Sequence, residues 1–230
     1  MQIHGFQKMT LLDYPGKVAA TVFTAGCNLR CPFCHNAPLV TKINLADRLD
    51  RSEIMAYLKK RKGILDGVCI TGGEPLLSDG TFELMKEIRE LGYLIKLDTN
   101  GTFPDKLRRA VFGGLVDTVA MDIKNSKERY AETVGVNGFD ISPVEESVEF
   151  LKSGAVDYEF RTTVVKELHT EEDIERIGEW LCGAPRYYLQ RFKDSGNLIS
   201  PGCSEPSIEF MENLQKIALK YIEKVELRGI

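Results

Sequence analysis

The chain has 230 residues, of which 43% are hydrophobic and 28% are charged, with 20 Gly and 9 Pro. This composition is typical of a globular protein and excludes collagen, a coiled coil and extensive disorder. The formal net charge is −4, from 30 Lys and Arg against 34 Asp and Glu, so no global positive field attracts nucleic acid. Because no apolar run approaches the roughly 20 residues of a membrane-spanning helix, and the first residues lack a signal-peptide core, we expect a cytoplasmic protein without membrane contact.

Short apolar runs rich in β-branched residues alternate with amphipathic runs along the chain. The predicted strands cover residues 18–25, 68–71, 94–97, 116–123, 158–165 and 187–192. The predicted helices cover residues 52–62, 81–90, 105–112, a run that opens at 140–143, 170–181 with Thr170 as N-cap, and 204 to about 225. This alternation predicts βαβ units and a parallel sheet in an α/β fold. It does not distinguish an open sheet from a partial barrel, and without a linker or internal repeat we expect one domain over 1–230.

Cysteine placement is the strongest local signal. Cys27, Cys31 and Cys34 lie within eight residues directly after the first predicted strand, and clustered thiols in a reducing compartment more often bind metal than form disulfides. A structural zinc site needs four ligands, for which only His35 is at hand, and a chemically silent cluster is the other simple interpretation. An iron–sulfur cubane can be held by three thiolates, which bind three of its irons and leave the fourth iron open for a small molecule.

The remaining cysteines are scattered. Cys69 lies inside an apolar strand and is expected to pack as a small hydrophobe. Cys182 and Cys203 would form a second metal site or a redox pair only if the fold brings them together.

The cysteine spacing also carries a resemblance. Cys-x3-Cys-x2-Cys, with Phe33 before the last Cys, is similar to the signature of the radical S-adenosylmethionine (SAM) enzymes. The strings at residues 12–17 and 23–36 more narrowly resemble the activating proteins of anaerobic ribonucleoside-triphosphate reductase, which are related to pyruvate formate-lyase activating enzyme. The resemblance implies a partial (β/α)6 barrel with parallel strands. It also implies a [4Fe-4S] cluster on Cys27, Cys31 and Cys34, with SAM on the open iron through its amino and carboxylate groups.

A glycine-rich turn follows the second predicted strand. Gly72, Gly73 and Glu74 stand in Thr71-Gly-Gly-Glu-Pro75, and paired glycines let the backbone approach a ligand closely. Alone, the string is a common turn. The resemblance implies that it meets the methionine amino group of SAM.

For four further residues, only the resemblance suggests a role at the cofactor. Phe33 and His35 match positions near the adenine, although His35 could equally be a hydrogen-bonding loop residue. Arg161 matches an arginine that reaches the cofactor, and the alternative is an ion pair that caps the barrel. Gln190 stands where formate-lyase activators have His, so its role stays open.

Charged residues mark the ends of two more predicted strands. Asp98 and Asp122 end the third and fourth strands, and Lys124 follows closely; taken singly, each could be a helix cap or a surface charge. The resemblance implies that Asp98, Thr99 and Asp122 help to bind a monovalent cation beside the methionine carboxylate, a pairing that hard oxygen ligands favour. It also implies that Lys124 touches the nucleoside.

The predicted function is that of an activase. The resemblance implies that one-electron reduction of the cluster cleaves SAM to methionine and a 5′-deoxyadenosyl radical, which takes a hydrogen atom from a glycine of a partner protein. We expect anaerobic ribonucleoside-triphosphate reductase as that partner and flavodoxin or ferredoxin as the electron donor. The alternatives are another glycyl-radical protein, a small-molecule enzyme of the deazapurine synthase type, and a non-enzymatic iron–sulfur or zinc protein. The last would have no use for the Gly-Gly-Glu-Pro turn or the paired aspartates.

Overall fold

The computed structural model describes residues 1–194 and 196–230 and places eight strands in one sheet, in chain order. The strands are β1 (Ile3–Thr10), β2 (Ala19–Thr24), β3 (Gly67–Gly72), β4 (Leu94–Thr99), β5 (Thr118–Asp122), β6 (Asp157–Val164), β7 (Tyr187–Arg191) and β8 (Val225–Arg228). β1 runs antiparallel to β2, and each later neighbour pair is parallel. The predicted α/β fold with parallel strands is confirmed.

Every connection between parallel strands contains at least one helix. The helices are α1 (Ala37–Thr41), α2 (Arg51–Lys60), α3 (Gly80–Glu90), α4 (Pro104–Phe112), α5 (Tyr130–Val134), α6 (Ser142–Lys152), α7 (Glu171–Trp180) and α8 (Ile208–Ala218). Among the described residues, no helix is long and apolar enough to cross a membrane.

The central strands form the core. Val22, Ile70, Leu97 and Val119 come from four neighbouring strands and are all inaccessible to solvent. Parallel strands covered by crossover helices are buried along most of their length, and this explains their nearly continuous apolar runs.

Both edges of the sheet differ from the sequence-based interpretation. β1 was not predicted, and the final helix was expected from 204 to about 225, whereas α8 ends at Ala218 and the chain then forms β8. In β8, Val225 is buried and Glu226 is exposed, and the carbonyl of Lys224 accepts a hydrogen bond from the Tyr187 amide at 2.9 Å. A four-residue strand is too short for periodicity to separate it from a last helical turn.

The parallel arrangement brings the carboxyl ends of β2 to β6 to one edge of the sheet. The cysteine loop follows β2 and the Gly-Gly-Glu-Pro turn follows β3. Asp98 lies near the end of β4, Asp122 ends β5, and Arg161 is the register partner of Asp122 on β6. In parallel α/β sheets this edge is where ligands bind.

Candidate active site

One open cavity of about 210 Å³ lies at this edge, and residues from six strands and their following loops line it. Nearly all of the residues that the sequence singled out are brought together here. The lining contains Cys27, Cys31, Phe33, Cys34, His35, Gly72, Gly73, Asp98, Thr99, Asp122, Lys124, Arg161 and Gln190. The one predicted residue outside the lining is Glu74.

The three cysteines reach the cavity from the loop after β2. A turn closes between them, since the Cys34 amide donates to the Cys31 carbonyl at 3.1 Å. The Cys27 sulfur accepts hydrogen bonds from the Leu29 amide at 3.4 Å and from the Asn100 side chain at 3.7 Å. Hydrogen bonds to a cysteine sulfur are among the interactions that tune a bound iron–sulfur cluster.

The spacing of these side chains argues against a mononuclear zinc site. Within residues 1–194 and 196–230, no three His, Cys, Asp or Glu side chains converge closely enough to hold one metal ion. Structural zinc needs four such ligands at about 2.0–2.3 Å from one centre. A cubane cluster is larger and binds its cysteines at separate corners, so it does not need three ligands around one ion.

Burial sets the protonation of the three thiols. It raises the pKa of Cys31 to about 12, and it also raises the pKa values of Cys27 and Cys34 above their ordinary value. Thiols must lose their protons to bind metal, so loading of this site releases protons.

The glycine pair after β3 packs against the cysteine loop itself. A Cβ on Gly73 would lie 2.0 Å from the carbonyl oxygen of Gly26, and a Cβ on Gly72 would lie 2.3 Å from that of Thr24. Gly72 also has a φ of 117°, and such a positive φ favours glycine over residues with a side chain. The glycines were predicted to admit a ligand; they line the cavity, but their closest approach is to the loop backbone, which they hold in place.

Glu74 lies behind the cavity and is 1% exposed. Its carboxylate accepts hydrogen bonds from the Leu76 amide at 2.9 Å, the Thr99 hydroxyl at 2.9 Å and the Asn100 amide at 2.7 Å. Burial raises the pKa of Glu74 to about 7 despite these three donors. Its side chain therefore ties the turn after β3 to the end of β4.

Five alternating charges form a row that we name the charged layer: Lys96, Asp98, Arg161, Asp122 and Lys124. All of them except Lys96 line the cavity. The Lys96 ammonium donates to one Asp98 oxygen, and Arg161 donates to the other at 3.1 Å. Arg161 also donates to Asp122 at 2.9 Å, and Lys124 donates to the second Asp122 oxygen at 3.0 Å. Three cations and two anions leave the layer with one net positive charge.

The layer stabilises the charged form of its members. Burial alone would raise the pKa of Asp122, but Arg161 and Lys124 outweigh it and lower that pKa to about 2. The same competition lowers the pKa of Asp98, through Arg161 and Lys96. Burial alone would lower the pKa of Lys124, and Asp122 instead raises it above its ordinary value. Asp98, Asp122 and Lys124 are therefore charged at neutral pH.

The side-chain oxygens of the predicted monovalent-cation ligands are all engaged by donors of the chain. Each carboxylate oxygen of Asp98 and Asp122 already accepts from a Lys or Arg of the chain. The Thr99 hydroxyl donates to Glu74 and accepts from the Gly101 amide at 3.2 Å. The positive charges beside Asp98 and Asp122 are therefore those of Lys96, Arg161 and Lys124.

The remaining predicted residues lie around the mouth of the cavity. Phe33 is buried, whereas His35 is exposed, with its Nε2 at 2.8 Å from the Lys193 carbonyl and its ring stacked on Phe192. The Gln190 amide donates to the Thr163 hydroxyl at 3.3 Å. These contacts give His35 and Gln190 fixed positions on the rim.

Three polar residues that form hydrogen bonds with residues of the site were not predicted from the sequence. Asn36 donates to the Gly72 carbonyl at 2.8 Å and so joins the cysteine loop to the glycine turn. Asn100 donates to the Cys27 sulfur and, at 3.1 Å, to Asn28. Lys96 pairs with Asp98, two positions later in β4. Residues two positions apart lie on the same face of a strand, so this spacing could have predicted the pair.

The other cysteines lie elsewhere. Cys69 is fully buried in β3, as expected for a packing residue. Cys182 is exposed and Cys203 is partly buried, and both are free thiols.

Comparison with known proteins agrees with this geometry. The model of the radical SAM superfamily matches residues 21–181. A Methanocaldococcus jannaschii protein named as a glycyl-radical enzyme activating enzyme is 32% identical over 99% of this chain and 96% of its own length. The pyruvate formate-lyase-activating enzyme of Listeria monocytogenes is 27% identical over 80% of this chain and 77% of its own length.

A solved structure shows the same fold. Streptococcus suis SuiB superposes with a TM-score of 0.71 at 14% identity, over 92% of this chain and 49% of SuiB. The family implies a [4Fe-4S] cluster and SAM, and the residues present fit both, because the three cysteines face one cavity together with the charged side chains of Asp98, Asp122, Lys124 and Arg161. This chain belongs to the radical SAM superfamily.

Proposed function

We propose that this chain is an activating enzyme that generates a glycyl radical on a partner protein by reductive cleavage of SAM. The observation that carries the proposal is that the three cysteines line the same cavity as four residues of the charged layer, Asp98, Asp122, Lys124 and Arg161. Support comes also from the M. jannaschii relative, which matches almost the whole chain and is named for that activity.

The cysteines and the loop around them would hold the cluster. Cys27, Cys31 and Cys34 supply its ligands, and the backbone contact between Gly73 and Gly26 fixes their loop against β3. When bound, the cluster and SAM supply one-electron cleavage of the nucleotide and abstraction of a hydrogen atom from glycine. No side chain has to act as a general base in that reaction.

The rest of the cavity would bind and orient the nucleotide. Arg161 and Lys124 present donors suited to a carboxylate or to ribose oxygens. Phe33 and Leu29 are buried apolar residues of the lining and exclude water from one side. His35 and Gln190, on the rim, are the side chains we propose to contact the nucleoside from outside.

Anaerobic ribonucleoside-triphosphate reductase is the partner that we propose, with flavodoxin or ferredoxin as electron donor. The support for this choice is the resemblance of residues 12–17 and 23–36 to the activating proteins of that reductase. We further propose a cytoplasmic location and a single domain over 1–230, the latter because all eight strands share one sheet.

Electron paramagnetic resonance (EPR) tests this proposal. Anaerobically reconstituted, reduced protein is mixed with SAM and the reductase, and we expect a glycyl radical signal on the reductase. A signal obtained only with another glycyl-radical protein would correct the partner but keep the activity. SAM cleavage without a radical on any such protein, but with turnover of a small molecule, would contradict the activase function.

A further inference from the structure

Lys96 is an unusual residue for the middle of a buried strand. It lies in β4 and is 1% exposed, so its ammonium group is withdrawn from solvent. An uncompensated charge at such a depth is costly, and buried charges are paired. Its hydrogen-bond partner is the Asp98 oxygen that faces away from Arg161.

Asp98 is the residue at which a monovalent metal cation was expected. Its two oxygens are divided between Lys96 and Arg161, and the Thr99 hydroxyl is engaged with Glu74 and Gly101. A lysine ammonium is a compact single positive charge with three hydrogen-bond donors, which is close to the requirement of this oxygen cluster for a small monovalent cation.

We propose that the Lys96 ammonium takes the place of a monovalent metal cation beside Asp98, so that the cavity binds SAM and functions without bound Na⁺ or K⁺. Lys96 is thus a positioning residue: it holds Asp98, which in turn holds Arg161 at 3.1 Å. The inference concerns the SAM site and rests on the proposed use of that cavity, but it does not depend on which protein receives the radical.

Electrostatics point in the same direction. The charged layer already carries one net positive charge, because Lys96, Arg161 and Lys124 outnumber Asp98 and Asp122. A further cation would be repelled by this layer. It would also compete with the Lys, Arg and amide donors that already engage the side-chain oxygens of Asp98, Asp122 and Thr99. Removal of the Lys96 ammonium would leave the layer neutral and one Asp98 oxygen without a partner.

A second cavity offers a route by which a small cation could replace the missing ammonium. This cavity, of about 570 Å³, lies against the other side of the layer, since Asp98, Arg161 and Gln190 line both cavities. Lys96 also lines the second cavity, together with Glu226 and Arg228. Truncation of Lys96 therefore opens a passage from that cavity to the freed Asp98 oxygen.

The first experiment uses the wild-type reconstituted enzyme in chloride salts of Li⁺, Na⁺, K⁺, Cs⁺ and tetramethylammonium at equal ionic strength. We expect the rate of SAM cleavage to vary by less than about twofold, because only general screening of exposed charges remains. Sodium NMR of the cofactor-free chain should show no specific broadening. A requirement for Na⁺ or K⁺, or specific sodium binding, would overturn the proposal.

The second experiment uses Lys96→Ala, with Lys86→Ala as the matched control on the exposed face of α3. Without added cation, we expect SAM to bind about 100-fold more weakly to Lys96→Ala, as for loss of one partner of a buried charge pair. K⁺ or methylammonium should restore most of this affinity and should raise the unfolding temperature of the cofactor-free variant. The control should show neither effect.

Other outcomes of the second experiment are also decisive. A folded Lys96→Ala protein that binds SAM weakly and responds to no cation would overturn the proposal, because Lys96 would then be needed only for packing. If Lys96→Ala does not fold, the conservative Lys96→Gln variant takes its place in the same titration, and the wild-type salt series still decides on its own. None of these readouts involves the partner protein, so they remain distinct from failure of the activase assay.

Discussion

Two clusters of buried charge in this molecule use similar residues for different ends. In the charged layer, Arg161 joins Asp98 and Asp122 across the ends of three neighbouring strands, at the wall of the cysteine cavity. In the second cluster, Asp173 in the first turn of α7 accepts from Arg129 at 2.7 Å and also from Thr170 and Ser126.

Both clusters lower the pKa of their carboxylates against the opposing effect of burial. Only the first borders the cavity, while the second closes the start of a helix through a capping box on Thr170. The comparison teaches that a buried ion pair does not by itself identify a site. The charged layer is assigned to a site because it lies beside the three cysteines at the carboxyl edge of the sheet, where ligands of parallel α/β sheets bind.

The largest effect is expected from the cysteines. Replacement of Cys27, Cys31 or Cys34 by Ala removes one of only three thiolate ligands, so reductive cleavage of SAM should fall to the background level. The measurement is the anaerobic formation of 5′-deoxyadenosine with reduced protein, and exposed Cys182→Ala is the control that keeps full activity. Substantial activity in any of the three variants would show that this loop does not hold the cluster.

Arginine substitutions compare the two clusters directly. Arg161→Met leaves two partly buried carboxylates short of a partner and should lower the free energy of unfolding by about 3 kcal/mol, the lower end of the cost of breaking a buried pair, with weaker SAM binding. Arg129→Met removes only one of several donors to Asp173 and should cost about 1–2 kcal/mol, with SAM cleavage per folded molecule unchanged. Urea unfolding and SAM titration measure both. Equal effects on SAM binding would abolish the functional distinction between the clusters.

Glu74 provides a test by pH, since no cation pairs with it. Burial raises the pKa of Glu74 from 4.5 to about 7, so the protonated form favours the folded state. This contribution to stability is complete below about pH 4.5 and is lost as the pH rises through 7, a change of about 3 kcal/mol. Between pH 5 and 8, wild-type protein without cofactors should therefore lose stability relative to Glu74→Gln. Parallel pH profiles would show that Glu74 stays ionised.

The smallest effect is expected at the helix cap. Thr170→Ala removes the side-chain oxygen that accepts from the Asp173 amide at 3.2 Å. The free energy of unfolding should fall by about 1 kcal/mol, the usual cost of a lost N-cap. Thr170→Ser keeps the hydroxyl and should be close to wild type, and both variants should cleave SAM normally. A loss of SAM cleavage in Thr170→Ala would make the second cluster part of the site.

The sequence was sufficient for most of the framework. Apolar runs predicted β2 to β7 because parallel strands are buried along their length, and Thr170 was correctly predicted as an N-cap. The edge strands β1 and β8 were missed. In β1 only the end residues Ile3 and Thr10 are buried, and β8 has only four residues, so neither leaves the continuous apolar run of the central strands.

The cavity itself was predictable where chemistry and strand ends coincide, as at Cys27, Asp98 and Asp122. The role of a residue was not predictable where it depends on a contact that only the fold creates. The string around Glu74 gave no sign that its side chain turns inward, and a lysine within an apolar strand does not reveal its partner. Only the fold shows that Lys96 pairs with Asp98.

The most direct test of the central claim is EPR of the reduced, reconstituted protein with and without SAM. If three cysteines hold the cluster in the cavity that binds SAM, the cluster signal of the wild-type protein should change shape and g values on addition of SAM, and Arg161→Met should weaken that response. A cluster signal that SAM leaves unaltered would contradict the claim that the cysteine loop and the charged layer form one site.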